Sequence, residues 1–231
     1  MSRPLLLDLF SGAGGAAVGY HRAGFDVVGV DIEPQPHYPF EFVQANALEL
    51  LADSKWDGVR AGDWHEFAAI HASPPCQAYS VAAAQQRRAG KEYPDLVAET
   101  RHLLDKTSLS YVIENVPGAP IRKDFVLCGC MFELPMLQRE RWFEVNWPHN
   151  PMRMPCSHRG PALSVTGHGV GAGNGQRGRI AAVLGRNPGI TDAKLAMGIE
   201  WMHRDELSQA IQPAYTEWIG KQLLAHLENA A

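Results

Sequence analysis

Apolar positions along the chain fall into short unbroken runs separated by segments of helical period. Residues 4–10 (PLLLDLF), 26–30 (DVVGV), 67–72 (FAAIHA) and 111–113 (YVI) are too short for buried helices, which predicts strands covered on both faces. Residues 41–43, 125–127 and 142–145 complete the predicted strands. Segments 13–23, 46–51 and 93–106 predict helices, and strands alternating with helices argue for an α/β fold on a parallel sheet. From about residue 146 the pattern dissolves into Pro-, Gly- and Arg-rich sequence, notably TGHGVGAGNGQRGR at 166–179. A loop-rich region is expected there. A last helix over 214–227 sets Tyr215, Trp218, Ile219 and Leu223 on one face and is expected to dock back on the sheet. The expected organisation is a larger unit over 1–145, a small unit over 146–206 and a returning segment over 207–231.

Composition changes this picture little. At 231 residues, 45% hydrophobic and 20% charged, the chain suits one domain or one domain with a small appendage. No apolar run reaches membrane-spanning length and no secretory leader opens the sequence, so a cytoplasmic protein is expected. The four cysteines form no CxxC pair and read as reduced thiols, not as a disulfide frame. Formal charge is −4, yet it is uneven. Between residues 138 and 186, Arg139, Arg141, Arg153, Arg159, Arg177, Arg179 and Arg186 face only Glu140 and Glu144, which predicts a basic face.

Candidate chemistry gathers at the ends of the predicted strands. DLFSGAGGAAVG (8–19) puts Gly12, Gly14 and Gly15 between the first strand and first helix. Glycine permits a sharp turn there and lets backbone N–H groups approach a ligand at the helix N-terminus. Asp31 closes the second strand, where a carboxylate can accept both hydroxyls of a ribose, the nucleoside half of a Rossmann-like site. A ligand-free turn, or a dinucleotide fingerprint through Ala17, fits the same residues. In HASPPCQAYS (71–80), Pro74-Pro75 stiffens the backbone and projects Cys76 from the C-terminal edge of the sheet, where open α/β sheets bind ligands. YVIENVPG (111–118) ends the next strand with Glu114 and Asn115 on that same edge. QRERWFE (138–144) sets Arg139 and Arg141 two apart, on one face of an extended segment. A lone cysteine is usually inert, and each of the other features is weak alone. A nucleophile, a carboxyl acid and paired arginines at successive strand ends are a constellation.

In this order DLFSGAGG, GVDIEP, FVQANALEL, SPPCQAYS, IENVP, QRERWFE and QAIQPAYTEWIG resemble the motifs of the DNA cytosine-5 methyltransferases, from Leu5 to about Leu224. The resemblance implies a Rossmann-like S-adenosylmethionine-dependent methyltransferase sheet with a small target-recognition domain, acting on double-stranded DNA. Cys76 would attack carbon 6 of a flipped-out cytosine so that carbon 5 takes the methyl group. Glu114 would protonate N3, a role that needs a carboxyl group holding its proton near neutrality, and Arg141 with Arg139 would hold O2 and the adjoining backbone. On the cofactor side the resemblance carries Phe10, Ser11, Gly12 and Gly14 to the methionine end, Asp31 to the ribose, Ile32 to an adenine face and Asn46 to the adenine edge. Pro74, Gln209 and Ala210 would also line that pocket. The chain departs from the commoner pattern at Asp31 (usually Glu), Ile32 (often aromatic), Asn46 (usually Asp) and Gln212 (a second proline). Gln77, Ser80, Arg87 and Arg88 would meet DNA from a loop that closes over it. A monomer serving restriction–modification in a bacterial or phage-infected cell is expected.

Other readings remain open. They are a catalytically silent DNA-binding relative, the same mechanism on RNA, and a modified S-adenosylmethionine donor. An amino-group methylase or a nicotinamide oxidoreductase leaves most of the motifs unexplained. Cys128-x-Cys130 and Cys156-x-His158 offer four zinc ligands, but their spacing departs from the usual knuckle. The default expectation is buried thiols and no metal.

Overall fold

The computed structural model describes residues 2–52, 66–132, 134, 136–150, 155–158, 160–165 and 177–230. Seven strands form one sheet: β1 (Leu5–Leu9), β2 (Asp26–Asp31), β3 (Glu41–Gln44), β4 (Phe67–Ala72), β5 (Ser110–Asn115), β6 (Phe125–Leu127) and β7 (Arg141–Val145). Their order is β3-β2-β1-β4-β5-β7-β6. The first five run parallel, and β7 then enters antiparallel to β5 with β6 antiparallel to β7. The chain winds outward from β1 in one direction and from β4 in the other. A crevice therefore opens beside the C-terminal ends of β1 and β4, where the strand order reverses.

The unbroken apolar runs are explained by burial on both sheet faces. On one, Leu6, Val27, Ala69, Val112 and Phe143 pack against Tyr20 of α1 (Gly15–Ala23) and Tyr215, Ile219 and Leu223 of α8 (Pro213–Ala230). On the other, Leu7, Val28, Ile70 and Ile113 meet Ala47 of α2 (Ala47–Ala52) and Val97 and Leu104 of α4 (Val97–Thr107). The last helix docks as expected and runs longer than predicted. It lies close enough to α1 for Thr216 Oγ1 to donate to the Ala16 carbonyl at 2.9 Å. A Cβ on Gly19 would sit 2.0 Å from that same hydroxyl, so only glycine allows the approach. Arg101 of α4 reaches under the sheet and donates to both oxygens of Glu144 on β7, at 2.7 and 2.8 Å.

Two element starts differ from expectation through capping. The helix predicted from residue 93 begins at Val97, whose N–H is accepted by Asp95 Oδ1 at 3.2 Å. α2 begins after Asn46, whose Oδ1 accepts from the Leu48 N–H at 3.0 Å.

The larger difference lies beyond residue 146. Where loops were expected, the described residues include α5 (Arg177–Leu184), α6 (Ile190–Met197) and α7 (Arg204–Gln209). Residues 166–176 of the glycine-rich stretch lie outside the described residues. A third core forms here from Leu163, Val165, Ala193, Ala196, Met197, Ile199, Met202 and Leu207, and it recruits Ala13 and Leu137 from the larger unit. These helices are six to eight residues long, and α6 buries Asp192, Ala193, Ala196 and Met197. So short a face carries almost no periodic signal. Among the described residues no helix is long and apolar enough to cross a membrane.

Candidate active site

The crevice holds a cavity of ≈ 400 Å³, a size suited to a small-molecule ligand. Its wall begins at the glycine turn. Phe10 takes φ 57°, Gly12 φ 49° and Gly14 φ 83°, a left-handed run that reverses the chain between β1 and α1. Such a conformation is strained at the non-glycine Phe10. It is held by Ser73, whose Oγ donates to the Phe10 carbonyl at 3.1 Å and whose N–H donates to the Leu9 carbonyl at 3.2 Å. Asp31 ends β2 with Oδ2 accepting from the Gly12 N–H at 2.9 Å and Oδ1 from the Glu33 N–H at 3.0 Å. Each oxygen keeps a free lone pair. Ile32 stands beside it in the lining, 62% exposed.

The proline pair is braced from the neighbouring strand. Its carbonyl at Pro74 accepts from Asn115 Nδ2 at 2.9 Å, so the end of β5 braces the turn after β4. The Cys76 carbonyl then accepts from the N–H groups of Tyr79 and Ser80 at 3.0 and 2.8 Å, winding the chain away and leaving a half-buried thiol on the cavity wall. Burial and the Glu114 charge push that thiol's pKa up, and the Arg141 and Arg139 charges only partly offset them.

Glu114 is buried on β5 and lines the same cavity. Because β7 is antiparallel to β5, with Asn115 opposite Trp142, its first residue Arg141 lies just past the end of β5. Arg141 Nε comes within 2.9 Å of Glu114 Oε1, yet off the line of a hydrogen bond, and that oxygen is left without a hydrogen-bond partner. Desolvation raises the Glu114 pKa to about 7, against the opposing pull of Arg141 and Arg139. The acid is thus poised at neutrality.

Arg139 lies apart from the other predicted catalytic residues. It is not among the cavity's lining residues. Its guanidinium donates to the carbonyls of Val165 (3.1 Å), Ser208 (2.7 Å) and Ala210 (3.4 Å), and its own carbonyl accepts from Tyr215 OH at 2.6 Å. It fastens the third core and the end of α7 to the start of β7. Burial and the Arg141 charge lower its pKa to about 9, so it stays cationic at neutral pH. Asn46 is likewise absent from the lining, its amide spent on the α2 cap and on Glu49 Oε1 at 3.0 Å. Gly14 shapes the turn from behind, since a Cβ there would strike Pro39 at 2.7 Å.

The remaining predicted residues divide. Phe10, Ser11, Gly12, Asp31, Ile32, Pro74, Gln77, Gln209 and Ala210 line the cavity. Ser80 instead caps the short 3₁₀ turn Val81–Ala83, and Arg87, on α3 (Ala84–Arg88), donates to the carbonyls of Gln77 and Ser80 at 2.6 and 2.8 Å. Arg88 is exposed. Most of the expected basic face lies outside the described residues. Arg186 is paired with Asp192 through two contacts of 2.7 Å, Arg153 and Arg159 lie outside the described residues, and so do the side chains of Arg177 and Arg179. The sequence reading missed Met202, Asp205, Glu206 and Ile211, which line the mouth beside Gln209. Their nearness to QAIQP was the available signal. Asp205 and Glu206, the latter paired with His37 at 2.7 Å, join Asp31, Glu33 and Glu114 against Arg141 in the lining, an acidic excess that favours a cationic ligand.

Among the cysteines the buried-thiol expectation holds only for Cys128. Cys130 is half-buried and Cys156 exposed, and these three with His158 converge so that their ligand atoms all lie within 4.8 Å of one another.

A seven-stranded sheet of this order, with its cavity at the reversal point, defines the Rossmann-like methyltransferase class. The fold is shared by a prophage-encoded E. coli protein described as a DNA modification methyltransferase (TM-score 0.65, 17% identity, covering 97% of this chain and 99% of that one). It is shared equally by a mutant of Spodoptera frugiperda DNMT2 (TM-score 0.59, 14% identity, 96% and 99%). A family model for the C-5 cytosine-specific DNA methylases matches residues 5–123, just over half the chain, and the protein belongs to that family. It is 32% identical over 131 residues to the type II methyltransferase M.XorII of Xanthomonas oryzae pv. oryzae, covering 53% of this chain and 30% of that protein. To M1.HphI of Haemophilus parahaemolyticus it is 35% identical over 83 residues, 33% of this chain and 22% of that one. The matched segments thus span less than a third of either relative's length.

Proposed function

We propose that this protein transfers a methyl group to carbon 5 of cytosine in DNA, with S-adenosylmethionine as donor and Cys76 as nucleophile. The observation that carries the reading is the convergence of the Cys76 thiol, the poised Glu114 carboxyl and Arg141 on one cavity.

The cavity suits the donor. It combines the left-handed glycine turn, the free lone pairs of Asp31 for a ribose, the exposed Ile32 for an adenine face and an acidic mouth for a cation. When bound, S-adenosylmethionine supplies an electrophilic methyl group. Phe10, Ser11, Gly12, Asp31, Ile32, Pro74, Gln209 and Ala210 hold it, while Asn46 and Gly14 act from the surrounding shell.

The chain's own residues prepare the base. Burial keeps the free thiol protonated, so Cys76 adds to carbon 6 with its thiol proton passing to water as the C–S bond forms. Glu114 donates its proton to N3 as electron density moves onto the ring, which a carboxyl titrating at about 7 can do near neutrality. Arg141 holds O2 and keeps the developing charge paired. Water then takes the carbon 5 proton, the C–S bond breaks to release the Cys76 thiolate, and N3 returns its proton to Glu114. None of these groups can reach a stacked base, so the cytosine leaves the helix. Residues 1–145 carry this chemistry, 146–206 read the target, and 207–231 close the first unit. Gln77 and Arg88 flank the entering strand, with Ser80 and Arg87 setting the shape of that turn.

The test offers the protein duplex DNA of varied sequence containing 5-fluorocytosine, together with S-adenosylmethionine. Fluorine cannot leave as a proton does, so a denaturation-resistant protein–DNA adduct should accumulate and should vanish in Cys76→Ser. No adduct on any duplex overturns the reading, and an adduct only on the matching RNA moves it to that polymer.

A further inference from the structure

The four convergent ligand atoms lie outside the cavity and take no part in the chemistry above. Cys130 Sγ lies 3.1 Å from Cys156 Sγ, Cys128 Sγ 3.3 Å from His158 Nε2, and Cys156 Sγ 2.9 Å from His158 Nε2. All four are within 4.8 Å of one another, although the two pairs are 26 to 30 residues apart in sequence. Three thiols and an imidazole do not gather at one point for packing, since only Cys128 is buried and Cys156 is exposed. We propose that Cys128, Cys130, Cys156 and His158 bind a structural Zn²⁺ ion.

The donor set selects the metal. Three soft thiolates and one imidazole in a four-cornered cluster suit tetrahedral zinc. With Zn–S near 2.3 Å and Zn–N near 2.0–2.1 Å, a tetrahedral site has ligand–ligand edges of roughly 3.5–3.8 Å. Three separations of 2.9, 3.1 and 3.3 Å fall just short of that length and all four atoms lie within 4.8 Å of one another, so side-chain shifts of about an ångström admit the ion. Binding would release three thiol protons to solvent and use Nε2 of a neutral imidazole. Four protein ligands leave no open corner, so the ion acts in holding structure.

Its position says what it holds. Cys128 follows β6 and Cys130 sits in the 3₁₀ turn Gly129–Met131, next to Met131 and Phe132, which pack on the first core. Cys156 and His158 belong to residues 155–158, which form neither helix nor strand. Zinc would tether this irregular segment of the target-reading unit to the edge of the sheet. A disulfide is the rival use of Cys130 and Cys156. Their sulfurs are free here, and a disulfide would leave Cys128 and His158 without a purpose.

The full chain, purified with reductant after growth with zinc, should contain one zinc ion per chain by elemental analysis. A mercurial thiol reagent should release it to a metallochromic dye. The double variant Cys156→Ser/His158→Ala should lose the ion, while Cys76→Ser should keep it. If the double variant does not fold, cobalt exchanged into the wild-type protein decides: the charge-transfer and d–d bands of a tetrahedral thiolate site are expected. Absence of zinc, retention of zinc by the double variant, a cobalt spectrum without thiolate bands, or a Cys130–Cys156 disulfide by intact mass would each overturn the proposal. None of these readouts depends on methyl transfer.

Discussion

Two regions of the β5–β7 pair each bury a glutamate, and the two glutamates have opposite fates. Glu144, under α4, accepts two hydrogen bonds from Arg101 and one from the Arg122 N–H at 2.8 Å. Burial alone would raise its pKa, but these donors outweigh it and hold the carboxylate below its ordinary value. Glu114, at the cavity, is as deeply placed, but its ion pair is with a misaligned Arg141 that leaves Oε1 without a hydrogen bond, and its pKa rises to about 7. Saturation makes a carboxylate part of the scaffold. Leaving one short of donors makes it reactive. The arginines of QRERWFE also part ways, since Arg139 donates to backbone carbonyls of the third core and α7 while Arg141 faces the cavity.

The comparison breaks most readily at Glu114. Glu114→Gln keeps the shape but removes the transferable proton, and should slow methyl transfer on the order of 10²–10⁴-fold in a single-turnover assay. A raised carboxyl pKa stabilises the fold below 4.5, the ordinary glutamate value, and that contribution is lost as pH rises through about 7. Wild-type stability should therefore fall over that interval relative to the variant, on the order of 2–3 kcal/mol, read by chemical denaturation across pH. Removing the Glu114 charge should also lower the pH at which Cys76 reacts with iodoacetamide.

Glu144→Gln should give the opposite pattern. Stability drops by about 2–4 kcal/mol at neutral pH as Arg101 and Arg122 lose their carboxylate. Because a depressed pKa stabilises above 4.5 and that contribution is lost in acid, the gap to wild type should close as pH falls. The per-turnover rate of the folded fraction should be unchanged. A pH trend shared by both variants would undo the contrast. The smallest effect is expected for Arg139→Lys, which keeps the charge but loses the fork of donors. A cost of about 1–2 kcal/mol is expected, with hydrogen exchange rising first near residues 163–165 and 208–210. Enhanced exchange confined to the cavity would instead place Arg139 in the catalytic machinery.

Much of this was legible in the sequence where the signal is local. The strands of residues 4–72 announce themselves because burial on both faces demands unbroken apolar runs, and the glycine turn and Pro74-Pro75 write their backbone geometry into residue type. Helices α5 to α7 were not legible, because each is too short to show a period and is held by Leu137, Ala13 and Arg139 from distant parts of the chain. Asn46 was ambiguous for a related reason: its identity fits a ligand contact or a helix cap, and here Leu48 and Glu49 engage it at the cap.

By itself the sequence determined the succession of the strands and of helices α1, α2, α4 and α8, the family, and which residue types stand at the strand ends. Only the tertiary structure decided which of those polar groups are satisfied and which are left wanting, and that a Cys-x-Cys pair and a remote Cys-x-His pair meet at a point. The reason is physical: residue type sets which bonds a group can make, but the partners that make them or withhold them come from segments far apart along the chain.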